Sequence, residues 1–498
     1  MPTRSPDAGG PLTRDQLLVT AGIMAAVAVA ALDSTVVGTA MPTIIGQLGG
    51  LSEYSWVFTA YLVTSTTTVP LFGRLADIYG RKPVFLGGLA LFVIGSVLCG
   101  TSQSMLALIA WRAVQGIGAG ALQPISFTIA GDIFTPRQRA RMQGLFSGVW
   151  GVSAIVGPAL GGVITTTVGW PWVFEINLPV GILAGSIIWF AFHERFERHP
   201  QSIDWIGAAE LTGSIVLLLF AVSEGGELFG WTSPLVVAML AAALALFVAF
   251  VWTERRVAAP LIDLDLLRSP LVRAGLGIGT LAGVVMFGLT TYVPPMVQGV
   301  HAGTALDAGV AVAAMSVGWP IASILTGRLL FRIGARPIVL TGTVLLAAGA
   351  LMITQLERVD GLWFAGLACG ITGVGLGLAS TTLLIVIQGG VEWRRRAVAT
   401  GLIQFSRTIG GAVGVGIMGG VLTSFVGAAS SSILDPIARA SVSPEAAAAA
   451  RGSLAAGLTV TFWLMLVCAL VALVLAVRTM PDVHLGHEVT ASAGVPAD

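Results

Sequence analysis

The feature that most constrains this chain is a series of apolar runs, each about 20 residues long, separated by short polar connections. A run of that length is what an α-helix needs to cross a lipid bilayer. No water is present there to take up backbone hydrogen bonds, so a crossing segment must satisfy them internally. Fourteen runs can be drawn, near 17–40, 55–75, 84–101, 104–128, 142–166, 176–193, 205–224, 233–253, 272–295, 308–330, 338–355, 360–388, 398–424 and 454–477. The first is too long for the core of a signal peptide and is read as a retained span. Nothing between the runs has the size of a soluble domain. The longest connection, about 425–453, is Ala/Ser-rich and is expected to be a loose loop with some helix. Composition agrees: 10% of residues are charged, against about 25% in soluble domains. The predicted fold class is an all-α membrane protein with 14 transmembrane helices.

The same features exclude several functions. A net charge of +1 offers no electrostatic surface for nucleic acid. Cys99, Cys369 and Cys468 sit singly in apolar runs, and His193, His199, His301, His484 and His487 fall in loops, helix ends or the tail. No catalytic cluster, metal site or cofactor is therefore expected. Gly-rich stretches such as that around 375–377 lie in apolar runs with no strand before them, so they are not phosphate cradles. With no Walker-type loop, energy would come from an ion gradient.

Basic residues set the expected orientation. With the N-terminus inside, the even-numbered connections hold Arg74, Arg81, Lys82, Arg137, Arg139, Arg141, Arg195, Arg198, Arg255, Arg256, Arg268, Arg273, Arg328, Arg332, Arg336, Arg394, Arg395 and Arg396. The odd-numbered ones hold only Arg358, Arg439 and Arg451. Both termini are expected in the cytoplasm.

The chain also repeats itself. Gly73-Arg-Leu-Ala-Asp-Ile-Tyr-Gly-Arg-Lys-Pro-Val84 returns as Gly327-Arg-Leu-Leu-Phe-Arg-Ile-Gly-Ala-Arg-Pro-Ile338, and Gly116-Ile-Gly-Ala-Gly-Ala returns as Gly373-Val-Gly-Leu-Gly-Leu. Parallel repeats are a transporter signature, with substrate bound near mid-membrane between the halves. The expected organisation is a tail over 1–16, a six-helix bundle over 17–195, two inserted helices over 196–260, a second bundle over 261–480 and a tail over 481–498.

Several motifs have physical content. In the first loop, Gly73, Arg74, Asp77, Gly80 and Arg81 make a very short turn. Gly80 would supply the turn backbone, and Asp77 would pair with nearby cations or a helix N-terminus. Gly116 and Gly120 lie four apart and suit close helix packing. Gly157, Pro158, Gly161 and Gly162 form a Gly/Pro run: Gly157 and Gly161 would make a close-contact face, and Pro158 a bend. Further runs are Leu32-Asp33-Ser34-Thr35 through Pro42, Trp170-Pro-Trp-Val-Phe-Glu-Ile-Asn-Leu-Pro179 and Gln404-Phe-Ser-Arg-Thr-Ile-Gly-Gly411.

The first loop and its degenerate copy resemble the loop signature of the major facilitator superfamily. The run at 157–162 resembles that superfamily's antiporter helix motif. With the helix count, the chain is similar to the fourteen-span drug:proton antiporter branch, which holds multidrug and quaternary-ammonium exporters. The resemblance covers roughly residues 17–480. It departs at Glu175, where the branch commonly has an aromatic, and at Phe331, which stands in the second copy where Asp77 stands in the first. It implies two six-helix bundles of the major facilitator type plus two linker helices, and proton-coupled export of lipophilic, often cationic compounds by alternating access. Export of lipid-like molecules is the alternative. A facilitator importing a polar nutrient is disfavoured by the Gly-Pro run and the scarcity of polar residues in the spans. The implied partners are a small-molecule substrate, protons and the bilayer, with a monomer in a bacterial cytoplasmic membrane.

Ionisable residues inside spans are functional candidates by default. Asp33 and Arg112 each lie about 12 Å from the outer end of their helices, at 1.5 Å per residue. They are expected to pair, with Asp33 as proton carrier and Arg112 tuning it. The competing reading is a static ion pair fixing two helices. Glu175, Asp307, Arg407, Gln115, Trp150 and Tyr292 are candidates for substrate contact or gating, and Glu210 for an interfacial group.

Overall fold

The structure is a computed structural model that describes residues 13–48, 55–194, 204–224, 232–257, 260–262, 264–303, 305–359, 361–425 and 444–483. The outer parts of both expected tails, most of the 425–453 loop, and Arg195, Arg198, His199, Arg439, His484 and His487 lie outside the described residues.

The described residues are helical. The helices are α1 (Arg14–Leu48), α2 (Ser55–Tyr79), α3 (Arg81–Gly100), α4 (Met105–Ile133), α5 (Pro136–Thr167), α6 (Pro171–Glu175), α7 (Asn177–Ala191), α8 (Trp205–Glu224), α9 (Pro234–Glu254), α10 (Pro270–Pro295), α11 (Ala305–Ile333), α12 (Ala335–Ile353), α13 (Leu362–Gly390), α14 (Arg396–Phe425) and α15 (Pro444–Thr479). Local chemistry sets several ends. Ser104 caps α4, accepting from the Ala107 amide. Thr135 and Gln138 form a reciprocal capping box ahead of α5, with Pro136 in the first turn. Gly80 and Gly334, at φ 98° and 78°, make the turns into α3 and α12, which a side chain would strain.

Among the described residues, twelve elements are long and apolar enough to cross a membrane: α1, α3, α4, the α6–α7 pair, α8, α9, α10 with the π turn that follows it, and α11 to α15. The helices α2 and α5, of 25 and 32 residues, are long enough but richer in polar residues. Several boundaries differ from expectation, three of them notably. The first helix is longer than 17–40. The sixth span is divided at Ile176, because Pro179 has no amide to return to the Glu175 carbonyl one turn back. The end of the 425–453 connection, from Pro444, is already helix.

Two compact units emerge. The first comprises residues 1–216, 245–266 and 388–405, the second 217–244, 267–387 and 406–498. Within the first, α4 packs between α2 and α3, and α1 packs on α5 and α7. Within the second, α15 packs on α10 and α12. Glycines fix these contacts. A Cβ on Gly116 or Gly120 would strike Thr64 or Thr68 of α2, and one on Gly118 would strike Phe92 of α3. The repeat copy does the same in the second unit. Gly373 and Gly377 sit against Met315 and Trp319 of α11, and Gly375 sits against Gly342 and Leu346 of α12.

Candidate functional site

Asp33 and Arg112 meet inside the first unit. Arg112 Nη1 lies 2.6 Å from Asp33 Oδ2, with both side chains almost wholly buried. Each of the other polar contacts is also specific. Gln115 Nε2 donates to Asp33 Oδ1 at 2.8 Å, and Asn177 Nδ2 donates to the same oxygen at 3.1 Å. Arg112 also donates to Gln115 Oε1 at 2.8 Å and to the Val57 carbonyl at 3.2 Å. Its guanidinium lies 4.2 Å from the centre of the Tyr61 ring. Asn177 is held in turn by Ser96, whose hydroxyl donates to the Phe174 carbonyl. Four helices thus bring N–H donors or supports onto one carboxylate, the arrangement an ionised side chain needs away from water. Apolar side chains from α1, α2, α3, α4 and α6, among them Val37, Met41, Val57, Cys99, Leu108 and Phe174, form the adjoining core.

Gln115, a candidate for substrate contact or gating, is fully buried as part of this cluster. Asn177 and Ser96 were not singled out in the sequence. The only signal was that Asn177 stands inside the Trp170–Pro179 run.

A second cluster surrounds the loop motif. Arg81, fully buried, pairs with Asp77 at 2.9 Å and with Asp132 at 3.1 Å. It also donates to the carbonyls of Ala76 and Trp393 and lies 3.9 Å from the Trp393 ring centre. Arg396 pairs with the other Asp132 oxygen at 2.7 Å. Asp77 accepts the amides of Ala397 and Val398 in the first turn of α14, where a helix offers unpaired N–H groups. Asp77 lies just beyond the 55–75 run. Burial pushes its carboxyl up to about 7, outweighing the pull of Arg81, the two amides and Arg74. Gly73 is required because a Cβ there would press on the Ala397 carbonyl at 3.2 Å. Gly80 faces Glu194, whose two carboxylate oxygens accept the Arg81 and Lys82 amides at 2.7 and 2.9 Å. Glu194 is therefore the cap of α3, a role nothing in its local sequence announces. Lys82 Nζ donates to the Trp189 carbonyl at 2.6 Å.

The Gly/Pro run divides. Cβ atoms on Gly157 and Gly161 would overlap Thr35 and Thr39 of α1, whereas Gly162 has open space. Pro158 lies within α5, which continues as one helix to Thr167.

The remaining candidates separate by exposure and contact. Tyr292 is buried, and its hydroxyl donates to the Val415 carbonyl at 2.5 Å, so it ties α10 to α14. In this structure it joins helix to helix, a face that periodicity alone could not assign in a helix apolar all round. Arg407 lies 5.4 Å from the Trp319 ring centre, and its carbonyl abuts Gly283, so its backbone is part of the α10–α14 contact. Trp150 is exposed. Glu175 is half-buried beside Gly100 at the end of α6, and Asp307 lies in the first turn of α11. Glu210 is half-buried, with one carboxylate oxygen shut away from solvent. Among the described residues, no group of three or more His, Cys, Asp or Glu is placed to hold a metal.

Residues 23–415 match the family model described as Major Facilitator Superfamily. The chain is 37% identical over 415 residues to the multidrug transporter protein MdtP of Bacillus subtilis (strain 168), covering 83% of this chain and 76% of that protein. It is 35% identical over 406 residues to multidrug resistance protein 3 of the same organism, covering 82% and 79%. Among solved structures it resembles the human organic anion transporter MFSD10 (TETRAN), with a TM-score of 0.66, 15% identity, and coverage of 93% and 100%. At that identity the likeness is one of fold.

Proposed function

The chain belongs to the major facilitator superfamily, and on that premise we propose that it is a proton-coupled antiporter exporting lipophilic, often cationic, compounds. It is a membrane transporter rather than an enzyme, with small-molecule substrates and the bilayer as its medium. Relatives named as multidrug transporters support the drug-export part of the reading.

The observation that carries the coupling is Asp33 itself, a carboxylate buried in an apolar helix and met by Arg112, Gln115 and Asn177. In the state described, its charge is matched by Arg112. A proton arriving on Asp33 would weaken that pair. A change of partners at one buried carboxylate is how proton binding and cargo binding exclude each other. In this reading α2 and α5 also cross the bilayer, giving fourteen spans, with both termini on the cytoplasmic side of a bacterial inner membrane and a monomer as the working unit. Access would alternate by rocking of two halves. The clusters at Asp77 and at Gly157 and Gly161 would stabilise one of the two states.

The test uses purified protein in liposomes with an imposed pH gradient. Adding ethidium or a quaternary ammonium compound should drive proton movement in the wild type and none in Asp33→Asn. Intact flux in Asp33→Asn rejects Asp33 as carrier. Absence of flux with every cation, alongside movement of a fluorescent lipid, would replace drug export with lipid export.

A further inference from the structure

A pair of carboxylates outside the Asp33 cluster has one charge too many for its surroundings. Asp204 immediately precedes α8, and Glu254 ends α9; both are more than nine-tenths buried. Glu254 spends both oxygens on backbone amides, accepting from Leu261 at 3.1 Å and Ile262 at 3.3 Å. Asp204 Oδ1 accepts the Gly207 amide at 2.9 Å. Its other oxygen, Oδ2, is buried with no hydrogen-bond partner. That orphan oxygen and Glu254 border the same spot: a Cβ placed on Gly207 would touch Asp204 Oδ2 and lie 3.1 Å from Glu254 Oε1. The two carboxylates thus meet over the bare Cα of Gly207.

Among the described residues, the charged groups facing this spot are few. Arg74 of α2 acts on Glu254, as does Asp204. Arg256 is drawn off over the Trp252 ring, 3.7 Å from its centre, and Arg255 is exposed. Among the described residues, Arg74 is thus the cation that acts on this pair, through Glu254. Two like charges in such a space do not both remain ionised. A buried oxygen without a donor is costly.

We propose that Asp204 and Glu254 form a proton-binding site, holding one proton between Asp204 Oδ2 and Glu254 Oε1. The proton comes from solvent and is shared by the two carboxylates, and the one negative charge that remains is balanced by Arg74. This supplies the missing partner and leaves net charge near zero. It also clasps the start of α8 to the end of α9, so that the two inserted helices share a protonated base. Losing the proton would set two carboxylates against Arg74, three residues before Asp77. Nothing in this inference depends on Asp33 or on the cargo.

The test is infrared spectroscopy of the purified full-length protein near neutral pH. The wild type should show a protonated carboxyl band, shifted by deuterium oxide, that disappears in Asp204→Asn and also in Glu254→Gln, since either variant removes one of the two carboxylates that share the proton. Asp33→Asn should leave that band in place. If one variant does not fold, the other decides alone. A wild-type spectrum identical to those of both variants would overturn the proposal. So would sodium, at constant ionic strength, raising the melting temperature of the wild type but not of Asp204→Asn, because the spot would then hold a metal cation rather than a proton.

Discussion

At the scale of single residues, the Asp33 cluster predicts an order of damage. Arg112→Leu leaves a buried carboxylate without its cation, and removing one partner of a buried pair costs about 3–5 kcal/mol. Thermal unfolding in detergent should show a large drop for Arg112→Leu, partly recovered when Asp33→Asn is added. Asn177→Ala is milder, because the 2.6 Å pair with Arg112 survives. It should lower substrate-driven proton flux a few-fold, since Asp33 loses one of its three side-chain donors. Asp33 and Arg112 were legible in the sequence because a charge inside an apolar run has so few explanations. Asn177 was not. Its role depends on the break between α6 and α7, which carries a polar side chain to Ser96 and Asp33 across 144 positions of sequence. Glu194 was hidden for the same reason: a cap supplied from a distant segment leaves no pattern at the helix it caps.

At the scale of elements, the glycines make the sharpest contrast. Gly161→Ala should lower the melting temperature and transport, because the new methyl overlaps Thr39 and meets the Val36 carbonyl. Overpacking of that kind costs about 1–3 kcal/mol. Gly162→Ala, one residue on, faces open space and should be neutral in both measurements. Equal effects at the two positions would mean that α1 and α5 do not pack in this register. The sequence marked Gly157 and Gly161, four apart, as the close-contact face but could not say which helix they would meet, since that follows from how α5 is rotated against α1. Boundaries were similarly half-legible. Apolar length gave most helices, yet the polar Thr64–Thr68 stretch of α2 and the arginine-rich first turns of α5 blur two of them.

At the scale of the whole molecule, the Asp77 cluster sets a response to pH. Its carboxyl is held near 7 in the folded protein, against 3.8 for an unperturbed group. Between those values the folded chain keeps a proton that the unfolded chain gives up. That contribution to stability is full at low pH and is lost as pH rises through 7. Asp77→Asn, neutral throughout, should melt with a flatter pH dependence than the wild type between about 4 and 7. It should nevertheless transport less, because an amide can no longer offer acceptors to both the Ala397 and Val398 N–H groups. The repeat was visible at this scale from two short motifs. The structure adds why the motif copies differ: Phe331 stands where Asp77 does in the first half, so the carboxylate cap is built once.

Lys82, which reaches the Trp189 carbonyl beside the Glu194 cap, is also the sole lysine of the chain. An amine-reactive dye applied to the intact protein therefore has one side-chain target besides the α-amino group, and that target sits on the loop motif. The natural sequence already carries a single-site label position there, and no engineered cysteine is needed to watch that loop move during transport.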